Sequence, residues 1–119
     1  PWQVIDDDAT LGLAVESLEG LAPAARETAL AARMREEFAT PFALDRAPLA
    51  RARLVRLERE VHVLLVTCHH TVSDGWSGEV LLAELGDCYA ACRAGTAPGR
   101  PLPATDCVAH AARQRAALD

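Results

Sequence analysis

The chain has 119 residues, half of them hydrophobic, and a formal net charge of −5 with its four histidines neutral. That is enough for one ordinary domain with a core and too apolar for a disordered tail, while no apolar run reaches the length that spans a bilayer. The acidic balance gives no electrostatic case for a nucleic-acid partner, and all 12 basic residues are arginines.

Pro1 to Ile5 reads as the tail of a strand whose start lies upstream. The chain opens without a methionine or a signal peptide, so it looks like a piece of a longer protein. Asp6-Asp7-Asp8 is a solvated acidic turn; a calcium loop needs more oxygen ligands at set spacings. Leu11, Leu13 and Val15 alternate with Gly12, Ala14 and Glu16, the pattern of a half-buried strand. Pro23 suits the first position of a helix, and the run to Phe38 is rich in helix formers. Leu30, Met34 and Phe38 make an apolar stripe expected to lie on a sheet, and Pro41 closes the helix.

Pro41 to Pro48 reads as a loop whose Phe42 and Leu44 plug the core. Leu49 to Glu58 is the next strand and carries Arg51, Arg53 and Arg56. A solvent-facing edge explains these arginines; the alternative turns one inward to a carboxylate such as Asp74. Glu58 to Glu60 is a charged hairpin turn. It leads into Val61, Val63, Leu64, Leu65 and Val66, a near-continuous apolar run read as a central strand buried on both faces. His62, which opens this strand, reads as a partly exposed structural histidine.

The run ends in His69 and His70. Successive strand side chains point to opposite faces, so one imidazole faces an opening and the other packs inward. That weighs against a metal site built from the pair. A polar turn follows, then Asp74-Gly75. Asp74 needs a partner or exposure, and Gly75 supplies backbone freedom or room for a close approach. Ser77 is a candidate N-cap for a helix carrying Leu81, Leu85, Cys88, Tyr89 and Cys92, which Gly95 terminates. Thr96 to Pro103 is a linker, and Asp106 to Leu118 a last, alanine-rich helix. Cys68, Cys88, Cys92 and Cys107 show no CxxC or zinc spacing and read as reduced core thiols.

The run His69-His70-Thr71-Val72-Ser73-Asp74-Gly75 fits the pattern HHxxxDG. With Trp76 and Ser77 it resembles the signature of condensation domains of non-ribosomal peptide synthetases. The flanks PFALDRAPLARARLVRLE and VLLAELGDCYA resemble that family's surroundings. The last helix departs from the family's YxDYAVWQR-like motif at Cys107, Ala109, His110 and Arg113, and keeps Gln114 and Arg115. The arginine-rich RHExLRTxF motif that precedes the PWQVI-like segment in the family is absent.

The resemblance implies an α/β fold of two-layer α+β type: a chloramphenicol-acetyltransferase-like lobe with a mixed sheet packed by helices, present in part. Residues 1–119 then form part of the N-terminal lobe, with the start of that lobe and the C-terminal lobe missing. It implies amide formation between two thioesters, carried on phosphopantetheine arms by donor and acceptor carrier proteins, with no metal and no directly bound cofactor. His70 is the implied catalytic residue, as general base or as positioner of the amine. His69, Asp74 and Gly75 support the motif, Asp74 through an arginine and Gly75 by leaving room for the arm. Ser73, Trp76 and Ser77 are candidates for the tunnel wall. Ser73 is not read as a nucleophile, because the loop lacks a Gly-x-Ser-x-Gly elbow. The expected partners are the carrier proteins and the remaining lobes, in the cytoplasm, with neither nucleic acid nor membrane. Two alternatives stand beside this reading: an ester-forming acyltransferase of the same superfamily, and a non-catalytic carrier-protein docking fragment. On its own the piece is expected to catalyse nothing.

Overall fold

Pro23 has no N–H to leave unpaired, and the first helix starts at it: α1 (Pro23–Ala39). At its other end the Glu36 carbonyl accepts from both the N–H and the hydroxyl of Thr40, at 3.0 and 2.7 Å, ahead of Pro41, which cannot continue a helix. The computed structural model describes residues 3–99 and 106–118. The remaining elements are β1 (Leu13–Ser17), β2 (Ala50–Glu58), β3 (Val61–Cys68), α2 (Gly75–Arg93) and α3 (Cys107–Leu118). Residues 3–5 lie outside any strand, which corrects the expectation of a strand tail there; Pro1 and Trp2 fall outside the described residues. The same holds for 100–103 of the expected linker, whose described part, 96–99, has no regular structure.

The sheet is mixed, as expected. β1 runs parallel to β2 with α1 as the crossover, and β2 pairs antiparallel with β3 across the Arg59-Glu60 turn. The order β1-β2-β3 puts β2 in the middle among the described strands, so β3 is an edge and not the central strand. None of its residues is buried, which also overturns burial on both faces.

The register decides what each face carries. Val55 stands beside Glu16 and Val63, and Arg53 beside Ala14 and Leu65, so these side chains share one face. α1 lies on that face and is held there by charge. Arg33 Nε donates to both Glu16 carboxylate oxygens at 2.9 and 3.0 Å, and Arg53 Nε donates to Glu37 Oε1 at 2.8 Å. Arg26 pairs with Glu58. Val55, fully buried, and Leu18 form the small core among the described residues. Leu13, Val15, Leu64 and Val66 lie on the opposite face and are 38–67% exposed.

The apolar stripe of α1 therefore does not lie on the sheet as expected. Leu30 is half-buried, but Met34 is largely exposed and Phe38 is 93% exposed. Each four-residue step overshoots a helical turn by about 40°, so the stripe drifts round the helix. Counter-charges on the sheet fix α1 with Arg26, Arg33 and Glu37 inward, and the far end of the stripe turns out. Leu44, expected to plug the core, is exposed; Phe42 is half-buried.

The described chain separates into two compact units, Pro1–Gly78 and Glu79–Asp119. In the second, Gly95 takes φ 71° and ends α2 as expected. Thr96 N–H bonds the Ala91 carbonyl and Gly95 N–H the Cys92 carbonyl, both bonds of a Schellman cap. Asp106 caps α3 through Ala109 N–H at 2.7 Å. Cys92 and Cys107 are exposed free thiols, not core residues.

Candidate functional site

β3 ends at Cys68, but one further ladder bond carries the chain on: His69 N–H donates to the Leu49 carbonyl at 2.9 Å. The backbone then turns. The His69 carbonyl accepts from Val72 N–H at 3.0 Å and from the Ser73 hydroxyl at 3.3 Å. His69 thus closes the turn that presents His70.

The two imidazoles face different surroundings, as the strand alternation predicts. His69 is half-buried, its ring nearly perpendicular to that of Phe42 with centroids 5.9 Å apart. His70 is exposed. Their protons are placed by simple donor and acceptor logic. Thr71 N–H lies 3.2 Å from His69 Nδ1 and can only donate, so Nδ1 is the acceptor and the neutral ring carries its proton on Nε2. The Thr71 hydroxyl lies 2.9 Å from the same nitrogen. His70 Nδ1 lies 3.1 Å from the Ser73 carbonyl oxygen, which can only accept. Nδ1 therefore carries the proton, and the Nε2 lone pair is left for a proton from elsewhere.

Asp74 is the N-cap of α2. Its Oδ1 accepts from Ser77 N–H at 2.8 Å and from the Ser77 hydroxyl at 2.7 Å. Ser77, expected to be the cap, stands instead in the first turn, bonded to it; a carboxylate also suits the positive end of a helix better than a hydroxyl does. The Ser77 hydroxyl, then the Ser77 N–H, hold the Asp74 carboxyl below its ordinary range. Among the described residues no arginine pairs with Asp74. The arginines of β2 are engaged elsewhere: Arg51 and Arg53 with Glu37 at 3.4 and 2.8 Å, Arg56 with Glu19 at 3.1 Å. Arg51 and Arg53 are not solvent-facing, since Glu37 is only 12% exposed between them, whereas Arg56, out of phase with them on β2, is 42% exposed.

Gly75 opens α2 without a positive φ, and a Cβ there would meet nothing within 4 Å. Among the described residues nothing demands a glycine at that place. Trp76 is 75% exposed on the same first turn. The Ser73 hydroxyl proton is engaged by the His69 carbonyl. His70, Asp74, Gly75, Trp76 and Ser77 therefore share one exposed strand-to-helix turn.

Sequence reasoning missed the part played by Phe42 and Arg51. The Arg51 guanidinium lies 3.9 Å above the Phe42 ring, on the side chain that meets His69. The one available signal was that Arg51 and Arg53 stand two residues apart, in phase with the buried Val55.

The family model for the condensation domain matches residues 1–117. A linear gramicidin synthase of Brevibacillus parabrevis is 45% identical over 73% of this chain. Phosphinothricin tripeptide synthetase PhsB of Streptomyces viridochromogenes is 36% identical over 99% of it. The chain spans only 2% and 10% of those two relatives. The starter condensation domain of rhizomide synthetase RzmA superposes with a TM-score of 0.69 at 22% identity, over 91% of this chain and 26% of that one. That likeness bears out the partial α/β fold of mixed sheet and helices. With the family model matching residues 1–117 of its 119 and the HHxxxDG turn intact, this chain belongs to the condensation-domain family.

Proposed function

We propose that this chain supplies the histidine wall of a site that joins two carrier-borne thioesters through an amide bond. The observation that carries the reading is His70: exposed, with Nδ1–H engaged by the Ser73 carbonyl and Nε2 left as a base. The α-amino group of the acceptor aminoacyl thioester attacks the donor acyl carbonyl. The new C–N bond forms, the C–S bond breaks, and the donor's phosphopantetheine sulfur leaves as thiolate. His70 Nε2 takes the proton that the amine sheds and returns it to the sulfur. A thioester is already activated, so the step draws on no nucleotide. The open space before Gly75 suits the passage of an arm, and the exposed Trp76 and Ser77 suit its wall.

Residues 1–119 correspond in this reading to part of the N-terminal lobe. The partners are donor and acceptor carrier proteins, together with the rest of a synthetase that makes a peptide antibiotic or related secondary metabolite. The names of the relatives support that product class. No described helix is long and apolar enough to cross a membrane, and the four cysteines are free thiols, which fits the cytoplasm. An acceptor-swap assay on the complete protein tests the chemistry. Loaded carriers bearing an amine acceptor give amide product, and carriers bearing the matched hydroxyl acceptor give none; preference for the hydroxyl would replace this reading with ester formation. The isolated chain, mixed with the same carriers, gives no product above background.

A further inference from the structure

Arg51 lies on the middle strand, but its guanidinium reaches the end of α1. Nη2 donates to the Glu37 and Thr40 carbonyls at 3.1 and 2.7 Å, Nη1 to the Pro41 carbonyl at 3.3 Å, and Nε to Glu37 Oε2 at 3.4 Å. Carbonyls at a helix C-terminus have no partner within the helix, so one planar fork satisfies several of them at once. The residue after Pro41 is Phe42. Its face receives the same guanidinium at 3.9 Å, and its ring meets His69 at 5.9 Å between centroids and 79° between planes. His69 in turn holds the turn by its N–H, its carbonyl and its Nδ1.

We propose that Phe42 and Arg51 are positioning residues for the histidine turn. Arg51 fastens the Glu37–Phe42 segment to β2, the fastened Phe42 ring fixes the His69 imidazole, and His69 fixes the turn from which His70 is presented. On the sheet side the turn is tied through the backbone: His69 N–H donates to the carbonyl of Leu49, which directly precedes β2. The α1 side depends on Arg51. Without the guanidinium the Phe42 ring loses its cationic cover and the segment its anchor. His69 is then free to change rotamer, and the Thr71 N–H bond that sets its tautomer goes with it. The part assigned to His70 through this chain rests on the proposed function; the packing of His69 does not.

The experiment uses the complete protein that carries this chain, with Phe42→Leu, Phe42→Tyr, Arg51→Lys and His70→Ala. Three readouts are taken: steady-state condensation, histidine acylation by diethyl pyrocarbonate followed by peptide mass spectrometry, and amide hydrogen exchange. Phe42→Leu and Arg51→Lys are expected to lower kcat by about 10–100-fold with KM little changed, the scale of a small misplacement at a reacting centre. Phe42→Tyr, which keeps the ring, recovers most of the loss. In the two impaired variants acylation of His69 rises several-fold, while hydrogen exchange of the β2–β3 ladder amides stays level. A loosened fold would instead raise His69 acylation and ladder exchange together, and that result overturns the proposal. So does an unchanged His69 rate in Arg51→Lys, the variant that decides the matter should Phe42→Leu not accumulate. If His70→Ala condenses at the wild-type rate, the functional reading falls, and His69 labelling still decides the packing. If His70→Ala is inactive while Phe42→Leu keeps its kcat, the positioning role falls alone.

Discussion

His69 and His70, neighbours in sequence, carry their protons on opposite ring nitrogens. Thr71 N–H obliges His69 Nδ1 to accept, and the Ser73 carbonyl obliges His70 Nδ1 to donate. One turn thus sets side by side an imidazole whose Nδ1 accepts and one whose Nδ1 donates. Long-range nitrogen–proton NMR on histidine-labelled protein, above the pH where both rings are neutral, should show the Nε2–H form for His69 and the Nδ1–H form for His70. The same tautomer at both positions would contradict this assignment.

Asp74 acts here through the start of α2. Asp74→Asn keeps a good N-cap and should leave thermal stability near wild type, whereas Asp74→Ala should lower it. Its folded pKa lies below the unfolded one, so the capping contribution is complete above the unfolded value and is lost as pH falls through the folded value. Thermal melts of both variants between neutral and acid pH check the order. Equal loss in Asn and Ala would point to an ion pair with an arginine from elsewhere.

Glu37 holds α1 to the sheet through two arginines. Glu37→Gln should cost about 2–3 kcal/mol, the scale of a hydrogen bond to a charged group. The Arg53 hydrogen bond, with Arg51 behind it, lowers the Glu37 pKa from its ordinary 4.5, and the carboxylate holds that of Arg53 up. The stabilisation is therefore fully present above pH 4.5 and fades as acid titrates the folded carboxylate. Urea melts across that window should show wild type losing its advantage over Glu37→Gln as pH falls. A constant gap would mean that the pair contributes nothing through its charge.

Gly75 has open space before it and no positive φ, so Gly75→Ala should leave the melting temperature unchanged or slightly higher. If the space belongs to a thioester arm, the methyl group costs condensation, with KM for the loaded carrier rising. Unaltered kinetics would leave the glycine without the assigned role.

What the sequence revealed and what it hid divide along physical lines. Pro23 and Gly95 mark helix ends because capping is decided within a few residues. The histidine turn was legible for the same reason, down to one imidazole inward and one out. The face of the sheet that α1 covers was not. Glu16, Arg33, Glu37 and Arg53 meet from separate elements, and their pairing outweighs the apolar stripe that local periodicity displays. The order of strands misled likewise: β3 has the most apolar run, yet β2 is the middle strand. The cap of α2 was misplaced within the same turn: Ser77 was the expected cap, and Asp74, expected to pair with an arginine, fills that place.

The central claim is that His70 moves the proton in amide formation, and single-turnover condensation in the complete protein tests it most directly. Donor- and acceptor-loaded carriers are mixed with wild-type protein and with His70→Ala, and the amide product is followed by mass spectrometry alongside a carrier-binding control. The account predicts a loss of about 10²–10⁴-fold in rate for His70→Ala with carrier binding near normal. Amide formation at close to the wild-type rate in that variant would contradict it.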